Sequence, residues 1–452
     1  MRHSLYLQNH YGAKLFDICT IDNYNKTNRK EEPMMKKVYL CIDLKTFFAS
    51  VECSERHLDP FKTNLVVADP TRGNGALCLA ITPQMKSMGI HNRCRIFEIP
   101  KGVEYITAMP RMHLYMEYSA RIYRIYCRYV SPDDIHVYSI DECFIDITSY
   151  MHLYHKSAKE FAKMLMQAVF ADTHITATCG IGTNLYLAKV ALDIISKHTK
   201  ENIGILDEER YQKYLWHHLP ITDFWHMGSG TANRLLKLGA VDMHGITQIP
   251  EEILYKEFGI NAEYIIDHAW GREPATIASI KKYRPKNESI NNSQVLFSDY
   301  EYEDAILVVK EMVELNVLRL VESRLVTNHV SLYIGYSRTD GGGWAGGFRK
   351  LTVRTNSLSV LMDAFISLYH LKVQKGRLIR QISISFNDVL DEAYESYDLF
   401  SDIEALEEEK KLQRTLVSIR HKYGKNAILK LMNKQEKATT EKRNTLIGGH
   451  NA

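Results

Sequence analysis

Three acidic residues stand where they could bind metal ions. Asp43 ends the apolar run 38–42, a pattern typical of a buried strand that carries a carboxylate to its end. Asp141 and Glu142 are adjacent between two strand-like runs, which predicts a tight hairpin tip presenting both acids. Carboxylates in apolar surroundings are costly unless they coordinate a cation or meet a base. If the tip lies beside the strand end, three carboxylates converge and could hold two Mg²⁺ ions bridged by a triphosphate.

The same residues also fit a simpler interpretation. An ordinary polar hairpin turn and an unrelated aspartate at a strand end would give this pattern, and the residues alone leave the two alternatives evenly balanced. The elements around the acids therefore matter, and strands and helices alternate there as in a split βαβ sheet. Strands are predicted at residues 38–42, 136–140, 143–147 and 175–181, and helices at 114–130 and 186–195.

Further elements surround this predicted sheet. Residues 59–110, punctuated by Gly and Pro, indicate a small subdomain. Gly228-Ser229-Gly230 precedes a predicted helix, 231–238, that ends at Gly239, which suggests helix, hairpin and helix. Residues 272–294 are predicted to form a linker. A second, smaller α+β domain follows, with helices at 303–321 and 358–375 and strands at 329–336, 348–355 and 379–386.

Length and composition exclude several classes of protein. A chain of 452 residues is long enough for about three domains. Its 45% apolar and 25% charged residues exclude a disordered or collagenous protein. No apolar run reaches the roughly 18 residues of a membrane helix, and no apolar signal core follows the N-terminus, so we expect a cytoplasmic protein without membrane contact. The eight cysteines contain no Cys-x-x-Cys pair and are expected to be reduced thiols.

The net charge of +3 is too weak to indicate a partner, but its distribution is uneven. Residues 324–380 hold nine Lys or Arg against two Asp, a local +7. Residues 388–409 hold ten acids and no base, and residues 410–443 hold eleven bases against two Glu. This pattern predicts a basic module that faces DNA or RNA, followed by a tail of separate purpose. A solvated charged surface is the alternative.

The ordered motifs of the chain resemble those of Y-family translesion DNA polymerases. They are Ile42-Asp43-Leu44-Lys45-Thr46-Phe47-Phe48-Ala49-Ser50-Val51-Glu52, Ser139-Ile140-Asp141-Glu142, Gly180-Ile181-Gly182-Thr183-Asn184 with Leu187-Ala188-Lys189, and Gly228-Ser229-Gly230. Within that family, Asn292-Ser293-Gln294, the polar tail after Lys410 and the ending Ile447-Gly448-Gly449-His450 resemble the UmuC/UvrX-like bacterial, phage and plasmid branch.

The resemblance implies an α+β, multidomain right-hand polymerase. Its parts would be a split βαβ (ferredoxin-like) palm, small fingers, a helix-hairpin-helix thumb and an α+β little finger. The expected boundaries are an N-terminal arm at 1–34, palm at 35–52 and 111–200, fingers at 53–110, thumb at 201–271, linker at 272–294, little finger at 295–388 and a charged C-terminal tail at 389–452.

The implied activity is error-prone, template-directed synthesis from dNTPs on primer-template DNA. Asp43, Asp141 and Glu142 match the catalytic, metal-binding acids, and the backbone carbonyl of Leu44 would complete one metal's shell. Two Mg²⁺ ions are the expected cofactors. Another two-metal enzyme, such as a nucleotide cyclase, and a catalytically idle DNA-binding scaffold for repair are the alternative functions.

Several residues match the family's nucleotide contacts. Phe48 matches the steric gate, an aromatic ring under the sugar that leaves no room for a 2′-hydroxyl, although a core aromatic on an amphipathic helix is the alternative. The backbone amides of Thr46, Phe47 and Phe48, at a helix N-terminus, suit the triphosphate. Lys86 and Lys197 would add positive charge, although lone lysines are commonly surface charges.

Two positions depart from the family pattern. Lys45 stands where many members carry a second acid, two residues after the first. Many members also carry Tyr-x-x-Arg in the fingers to grip the triphosphate, whereas this chain has Pro83-Gln84-Met85-Lys86. A lysine there supplies charge without the bidentate fork of arginine, so nucleotide affinity or fidelity is expected to differ.

The remaining matches concern DNA and partner proteins. Gly228 and Gly230 would let backbone N–H groups approach DNA phosphates, and the little finger, with Arg349, Lys350 and Arg354, would hold the duplex by its backbone. The segment 396–400 imperfectly resembles the Gln-Leu-x-Leu-Phe peptide that docks on the sliding clamp, with Leu399 and Phe400 as its anchors and the Gln missing. A UmuD-like accessory protein is a further expected partner.

Overall fold

The computed structural model describes residues 37–285 and 288–451. The chain divides into two compact units, 1–284 and 285–452. The predicted N-terminal arm, 1–34, lies outside the described residues. No helix within the described ranges has both the length and the apolar character needed to cross a membrane.

The first unit contains eight strands and twelve α-helices within its described residues. The strands are β1 Tyr39–Leu44, β2 Leu65–Val67, β3 Ala80–Ile81, β4 Ile106–Ala108, β5 Ile135–Val137, β6 Glu142–Asp146, β7 Ala177–Gly182 and β8 Ile203–Leu206. The helices are α1 Phe47–Glu55, α2 Pro83–Ser87, α3 Met112–Tyr126, α4 Thr148–Leu153, α5 Ala158–Thr173, α6 Leu185–Val190, α7 Glu208–Leu215, α8 Ser229–Lys237, α9 Met243–Thr247, α10 Glu251–Phe258, α11 Ala262–Ala269 and α12 Ile277–Lys282.

A five-stranded sheet, in the order β5-β6-β1-β7-β8, is formed by the predicted palm together with β8. Because β8 lies in the range predicted for the thumb, 201–271, the sheet extends beyond the predicted palm boundary at residue 200. We call this sheet and the helices on it the palm. β1 lies between β6 and β7 and is antiparallel to both, whereas β7 and β8 are parallel. Helices α3 and α5 pack against each other, and α5 packs on β7, with apolar residues that include Tyr115, Ile125, Phe161 and Leu165 in one core. The predicted α+β fold with alternating strands and helices is confirmed.

Two glycines of β7 allow helix α6 to lie close to the palm sheet. A Cβ atom at Gly180 would stand 2.0 Å from the carbonyl oxygen of Ala188, and one at Gly182 would stand 2.2 Å from its nitrogen. No side chain fits at such distances, so the motif Gly180-Ile181-Gly182 permits this packing. Lys189, the next residue of α6, is thereby brought against the sheet.

The predicted fingers and thumb contribute to two further apolar clusters. In the fingers, β3-β2-β4 form a small sheet, and Val66, Ile81, Met85 and Ile99 belong to a separate apolar cluster. The predicted thumb buries apolar side chains from α7 to α11, including Leu235, in a third cluster that also contains Tyr186 and Leu187 of α6. All buried members of the fingers cluster lie within residues 59–110, where a small subdomain was predicted.

The second unit is built on a four-stranded antiparallel sheet in the order β11-β10-β12-β9. Helices α13 and α14 cover one face and share its core with Val330, Ile384 and Phe386. Its elements are β9 Glu288–Tyr300, α13 Tyr302–Ser323, β10 Leu325–Tyr336, β11 Trp344–Thr355, α14 Leu358–Lys372, β12 Ile379–Asp391, α15 Ile403–Tyr423, α16 Thr440–Asn444, β13 Leu446–Ile447 and β14 His450–Asn451. The five elements predicted for this domain are present.

The structure differs from the predicted linker at 272–294. Helix α12 lies within that range, and β9 begins there at Glu288 and pairs with β12. The Ser- and Asn-rich composition suggested a linker because one face of β9 is polar and exposed. The exposed residues at the start of the strand include Ser289, Asn291 and Ser293, whereas Gln294 and Leu296 on the opposite face are buried. Only a short part of β9 therefore shows the apolar alternation that predicts a strand.

The structure also differs from the predicted separate tail at 389–452. Helix α15 packs against α13, and the buried carboxylate of Glu311 on α13 accepts hydrogen bonds from Asn433 Nδ2 at 2.9 Å and from the Thr439 amide at 2.7 Å. The acidic and basic blocks partly neutralise each other, since Glu392 lies 3.1 Å from Lys410 and 3.0 Å from Arg414. The charge composition alone therefore did not indicate that the segment 389–452 is folded onto α13.

Candidate active site

Pairing of β1 with β6 brings the three predicted acids to one end of the palm sheet. Asp43 pairs directly with Glu142. The amide of Leu44 donates a hydrogen bond of 3.0 Å to the carbonyl of Asp141, which places the turn before β6 against the end of β1. The hairpin tip thus lies beside the strand end, which is the arrangement that convergence of the carboxylates required.

Each acid of the tip is oriented by its own neighbours. The Ser139 hydroxyl donates to Oδ1 of Asp141 at 2.6 Å. The Lys189 ammonium lies 2.8 Å from Oε1 and 3.0 Å from Oε2 of Glu142, and the Cys41 thiol lies 3.0 Å from Oε1. Lys189 also contacts Asp193, one helical turn on, at 3.1 Å. Glu142 is therefore held in a largely buried ion pair.

Burial and two neighbouring acids shift the pKa of Asp43. Burial and the nearby Asp141 and Glu142 raise the pKa of Asp43 to about 8, while Lys189 and Lys197 oppose this shift. Oxygens from all three acids do not lie within 4.8 Å of one another in the described part of the chain.

Helix α1 begins immediately after the first acid. Thr46 is its N-cap and has left-handed backbone angles, with φ at +46°. Its carbonyl accepts from the Ser50 amide at 2.9 Å. The amides of Phe47 and Phe48 belong to the first helical turn, where N–H groups have no partner within the helix and the helix dipole favours anions. This end of α1 can therefore receive phosphate oxygens.

The two phenylalanines of α1 have different surroundings. Phe47 is buried, whereas Phe48 is partly exposed and stacks on Tyr115 with ring centroids 4.7 Å apart. The Tyr115 hydroxyl donates to Oε1 of Glu52 at 2.8 Å, and Arg111 donates to both oxygens of that fully buried carboxylate at 3.0 and 2.7 Å. Phe48 thus has one supported side and one open side.

Three lysines surround the acids with positive charge. Lys45 donates to Oδ1 of Asn202 at 2.6 Å, and burial lowers its pKa while Asp43 opposes that shift. Desolvation lowers the pKa of Lys86 on α2, and Lys197 and Lys45 lower it further. These mutual effects show that the lysines share one electrostatic environment with Asp43. The side chains of Lys86 and Lys197 are both exposed, so both ammonium groups can reach an anion.

The Gly-x-Gly motif has a different local structure from the one predicted. Gly228 is the N-cap of α8 and Gly230 lies inside that helix, so the motif begins a helix and is not a turn between two. The end of the helix is as predicted, since Gly239 follows it with φ at +92°. A Cβ atom at Gly228 or Gly230 would meet no atom within 4 Å. The fold itself does not require glycine at either position.

The predicted basic residues of β11 do not share one face. Arg349 pairs with Val330, which is buried under the helices, whereas Lys350 pairs with His329. Paired residues share a face and successive residues alternate. Lys350 therefore lies on the open face of the sheet and Arg349 on the helix side. The Arg354 guanidinium donates to the carbonyl of Asp388 at 2.9 Å, so part of its role is structural.

The segment predicted to dock on a clamp presents two apolar side chains to solvent. Leu399 and Phe400 are 99% and 94% exposed. Oδ1 of Asp398 accepts from the Phe400 amide at 3.1 Å, which forms a tight turn. Ser396 fixes this turn to β11, since its amide donates to the Arg354 carbonyl at 3.0 Å.

Sequence reasoning missed several side chains that shape the site. Lys189 belongs to the motif Leu187-Ala188-Lys189, but only the tertiary structure shows that its ammonium contacts Glu142. A lysine among Leu187, Ala188 and Val190 is a usable signal, because a buried ammonium needs an acidic partner. The support of Phe48 by Tyr115 involves residues 67 positions apart (115 minus 48), which no local pattern could indicate.

Comparisons with known proteins identify several relatives of this chain. Residues 42–193 match the impB/mucB/samB family. The chain is 30% identical over 420 residues to the putative UV-damage repair protein UvrX of Bacillus subtilis, covering 92% of this chain and 98% of that protein. It is 28% identical over 423 residues to DNA polymerase IV 2 of the same organism, covering 92% and 99%.

A solved structure has a similar fold. The Y-family DNA polymerase chimera Dbh-Dpo4(243-245)-Dbh matches with a TM-score of 0.59 and 19% sequence identity. The match covers 78% of this chain and 99% of that one.

Proposed function

Because this chain belongs to the Y-family of DNA polymerases, we propose that it is an error-prone, template-directed DNA polymerase that extends primers past damaged template. Its substrates are primer-template DNA and dNTPs. The observation that carries the proposal is the meeting of Asp43, Asp141 and Glu142 beside the N-terminus of α1 and a cluster of lysines. This arrangement supplies ligands for cations and donors for a triphosphate in one place.

The donor set fits divalent magnesium. Three carboxylates and the backbone carbonyl of Leu44 offer oxygen ligands alone, which Mg²⁺ prefers. Burial, and then the neighbouring Asp141 and Glu142, raise the pKa of Asp43 to about 8, and a bound cation would favour its ionised form. Two Mg²⁺ ions bound there would activate the primer 3′-hydroxyl and neutralise the triphosphate and the leaving pyrophosphate. Burial raises the pKa of Glu142, and the Lys189 ammonium opposes this shift and would orient the carboxylate as a ligand.

The residues around the acids position the nucleotide. The amides of Thr46, Phe47 and Phe48 would bind phosphate oxygens at the start of α1. Lys86 and Lys197 would neutralise the remaining charge as point charges, without the geometry that a bidentate arginine imposes. Lys45 adds a third positive charge next to Asp43. The triphosphate is thus held mainly by charge.

Phe48 would select the sugar. Its ring is supported from behind by Tyr115, which is in turn fixed by the buried Glu52. A ring held in this way cannot move aside for a 2′-hydroxyl, so discrimination would come from a clash.

DNA contacts are proposed at the thumb and on the second unit. Gly228 and Gly230 have open space where side chains would be, so a phosphate could approach their amides closely. Lys350 lies on the open sheet face and would contact the duplex backbone without reading sequence.

Leu399 and Phe400 are proposed to dock on the sliding clamp. Their exposure on a turn fixed to β11 supports this, because apolar side chains are rarely so exposed without a partner. Replacing both by alanine should abolish clamp binding, measured by surface plasmon resonance. Leu431→Ala is the matched control, since Leu431 is 91% exposed in the same unit. Equal loss in the control would contradict the assignment.

A UmuD-like accessory protein and a cytoplasmic location stay predictions.

One experiment tests the proposed function. A labelled primer annealed to template is incubated with the full-length protein, dNTPs and Mg²⁺, and the same reaction is run without template and with a lesion in the template. We expect template-dependent extension that continues past the lesion. A nucleotide cyclase would consume nucleotide without template, and an idle scaffold would bind DNA without extending it.

A further inference from the structure

A second group of metal-ligating side chains lies in the thumb. His217 follows helix α7, and Asp242 and His244 lie at the start of α9. One ligand atom from each residue lies within 4.8 Å of the other two, and Nδ1 of His217 is 2.8 Å from Oδ2 of Asp242. Among the described residues, it is the only group of three or more His, Cys, Asp or Glu side chains with that spacing. None of the three belongs to a motif used by the proposed polymerase site.

Backbone contacts hold two of the three ligands in place. Oδ1 of Asp242 accepts from the Gly245 amide at 2.7 Å and caps α9, which leaves Oδ2 directed at His217. The amide of His244 donates to the carbonyl of Trp216 at 3.1 Å, and the two rings lie 5.0 Å apart. Because Trp216 immediately precedes His217, this bond joins the two segments that carry the ligands.

The types of ligand define the class of metal. Two imidazole nitrogens and one carboxylate oxygen are typical of Zn²⁺ and of related ions such as Co²⁺ and Ni²⁺, whereas Mg²⁺ and Ca²⁺ prefer oxygen alone. We propose that His217, Asp242 and His244 bind one Zn²⁺-class ion, with water completing its coordination. The ion would link the end of α7 to the start of α9. This proposal does not depend on polymerase activity.

The alternative is a simple hydrogen-bonded pair. His217 and Asp242 already contact each other, and the rings of His217 and His244 lie 4.9 Å apart, which is compatible with side-chain packing alone. The two interpretations differ in stoichiometry and in the role of His244. A pair needs only His217 and Asp242, whereas an ion needs all three.

The test uses the full-length protein after removal of metal with a chelator. Zn²⁺ is titrated by calorimetry in excess Mg²⁺, which occupies oxygen-only sites, and Co²⁺ is titrated by visible absorption. We expect one ion to bind, with affinity reduced at least about tenfold in His217→Ala and in His244→Ala, because loss of even an outer-shell partner of a metal costs about 10- to 100-fold. Asp242→Asn should behave likewise while its amide oxygen still caps α9.

The chain supplies a matched control in the adjacent histidine. His218 contacts Asp223 at 2.9 Å and lies outside the group, so His218→Ala should bind the ion as the unchanged protein does. His217 is exposed, and circular dichroism is expected to show that its replacement leaves the fold intact. Absence of Zn²⁺ binding by the unchanged protein would overturn the proposal. Binding that is equal in His217→Ala, His244→Ala and His218→Ala would do so as well.

Discussion

The palm site and the open face of the four-stranded sheet differ in how their charged side chains are held. In the palm, Glu142 and Lys189 form an ion pair whose side chains are both only 10% exposed. On the open sheet face, short uncharged side chains bond to each other, as Ser383 does to Ser293 at 2.6 Å, and Lys350 reaches solvent. The first region fixes charges in one geometry, while the second presents the exposed Lys350 side chain to solvent.

This difference follows from what each region is proposed to do. Nucleotidyl transfer needs ligands and countercharges at defined positions, because preorganised groups act on charge that develops during the reaction. Duplex binding without sequence preference needs only neutralisation of phosphates and room for the backbone to approach. Single substitutions should therefore have large effects in the palm and small, salt-dependent effects on the sheet.

The largest effect is expected at the acids. Asp141→Asn should reduce primer extension by at least about a thousandfold, since removal of a group that stabilises transition-state charge costs about 10²–10³ and a metal ligand is worth more. DNA affinity should stay within a few-fold, because it comes from basic side chains. Extension is measured by single-turnover kinetics and binding by fluorescence anisotropy. Glu142→Ala should lose activity too, but it also leaves Lys189 short of a partner.

Asp193 provides the control for that experiment. It contacts Lys189 at 3.1 Å but is not one of the proposed metal ligands. Asp193→Asn should keep most of the activity. If Asp141→Asn extends primers well, or if Asp193→Asn is equally inactive, the assignment of the acids is wrong.

The second effect concerns the sugar. Phe48→Ala should admit ribonucleotides while dNTP addition persists, because it removes the clash without touching the carboxylates. The measurement is the ratio of kcat/KM for a dNTP and its ribonucleotide. Phe47→Ala is the control, since this buried neighbour should cost about 3–5 kcal/mol of stability and leave the ratio unchanged. A folded Phe48→Ala that still rejects ribonucleotides would contradict the gate.

A smaller effect is expected on the sheet. Lys350→Ala should lower the slope of log affinity against log salt concentration by about 0.9, which is the contribution of one phosphate contact. Arg349→Ala should leave the slope unchanged, because Arg349 lies on the helix side of the same strand. Arg354→Ala should act mainly through stability, as it loses the bond to the Asp388 carbonyl. A slope for Lys350→Ala that equals that of the unchanged protein would place Lys350 on a solvated surface that does not contact DNA.

The smallest effect is a pH dependence of stability in the palm. Burial and the nearby Lys281 lower the pKa of His136 to about 4, whereas an unfolded histidine titrates near about 6.5. The unfolded state therefore binds a proton first, and stability present above pH 6.5 is lost as the pH falls toward 4, by up to about 1.4 kcal/mol per pH unit.

His136→Gln should flatten this part of the profile, measured by urea unfolding between those pH values. His113→Gln, at an exposed position of helix α3, serves as the control. A profile that is equally steep in His136→Gln and the unchanged protein would exclude His136 as its source.

The sequence by itself determined the local elements of the site. The apolar run before Asp43 predicted the strand, and the adjacent Asp141 and Glu142 predicted the tip, because hydrophobic period and turn chemistry are local signals. It also determined most elements of the second unit. It did not give β9, whose polar face resembled a linker, or the packing of α15 on α13.

Only the tertiary structure decided which side chains meet. Glu142 forms an ion pair with Lys189, and Phe48 stacks on Tyr115. Arg349 and Lys350 lie on opposite faces because of the register of β11 with β10. Such contacts depend on strand pairing and helix packing between distant segments, and a shift of one residue in register would exchange the faces. A sequence specifies them only through the whole set of contacts that folding brings together.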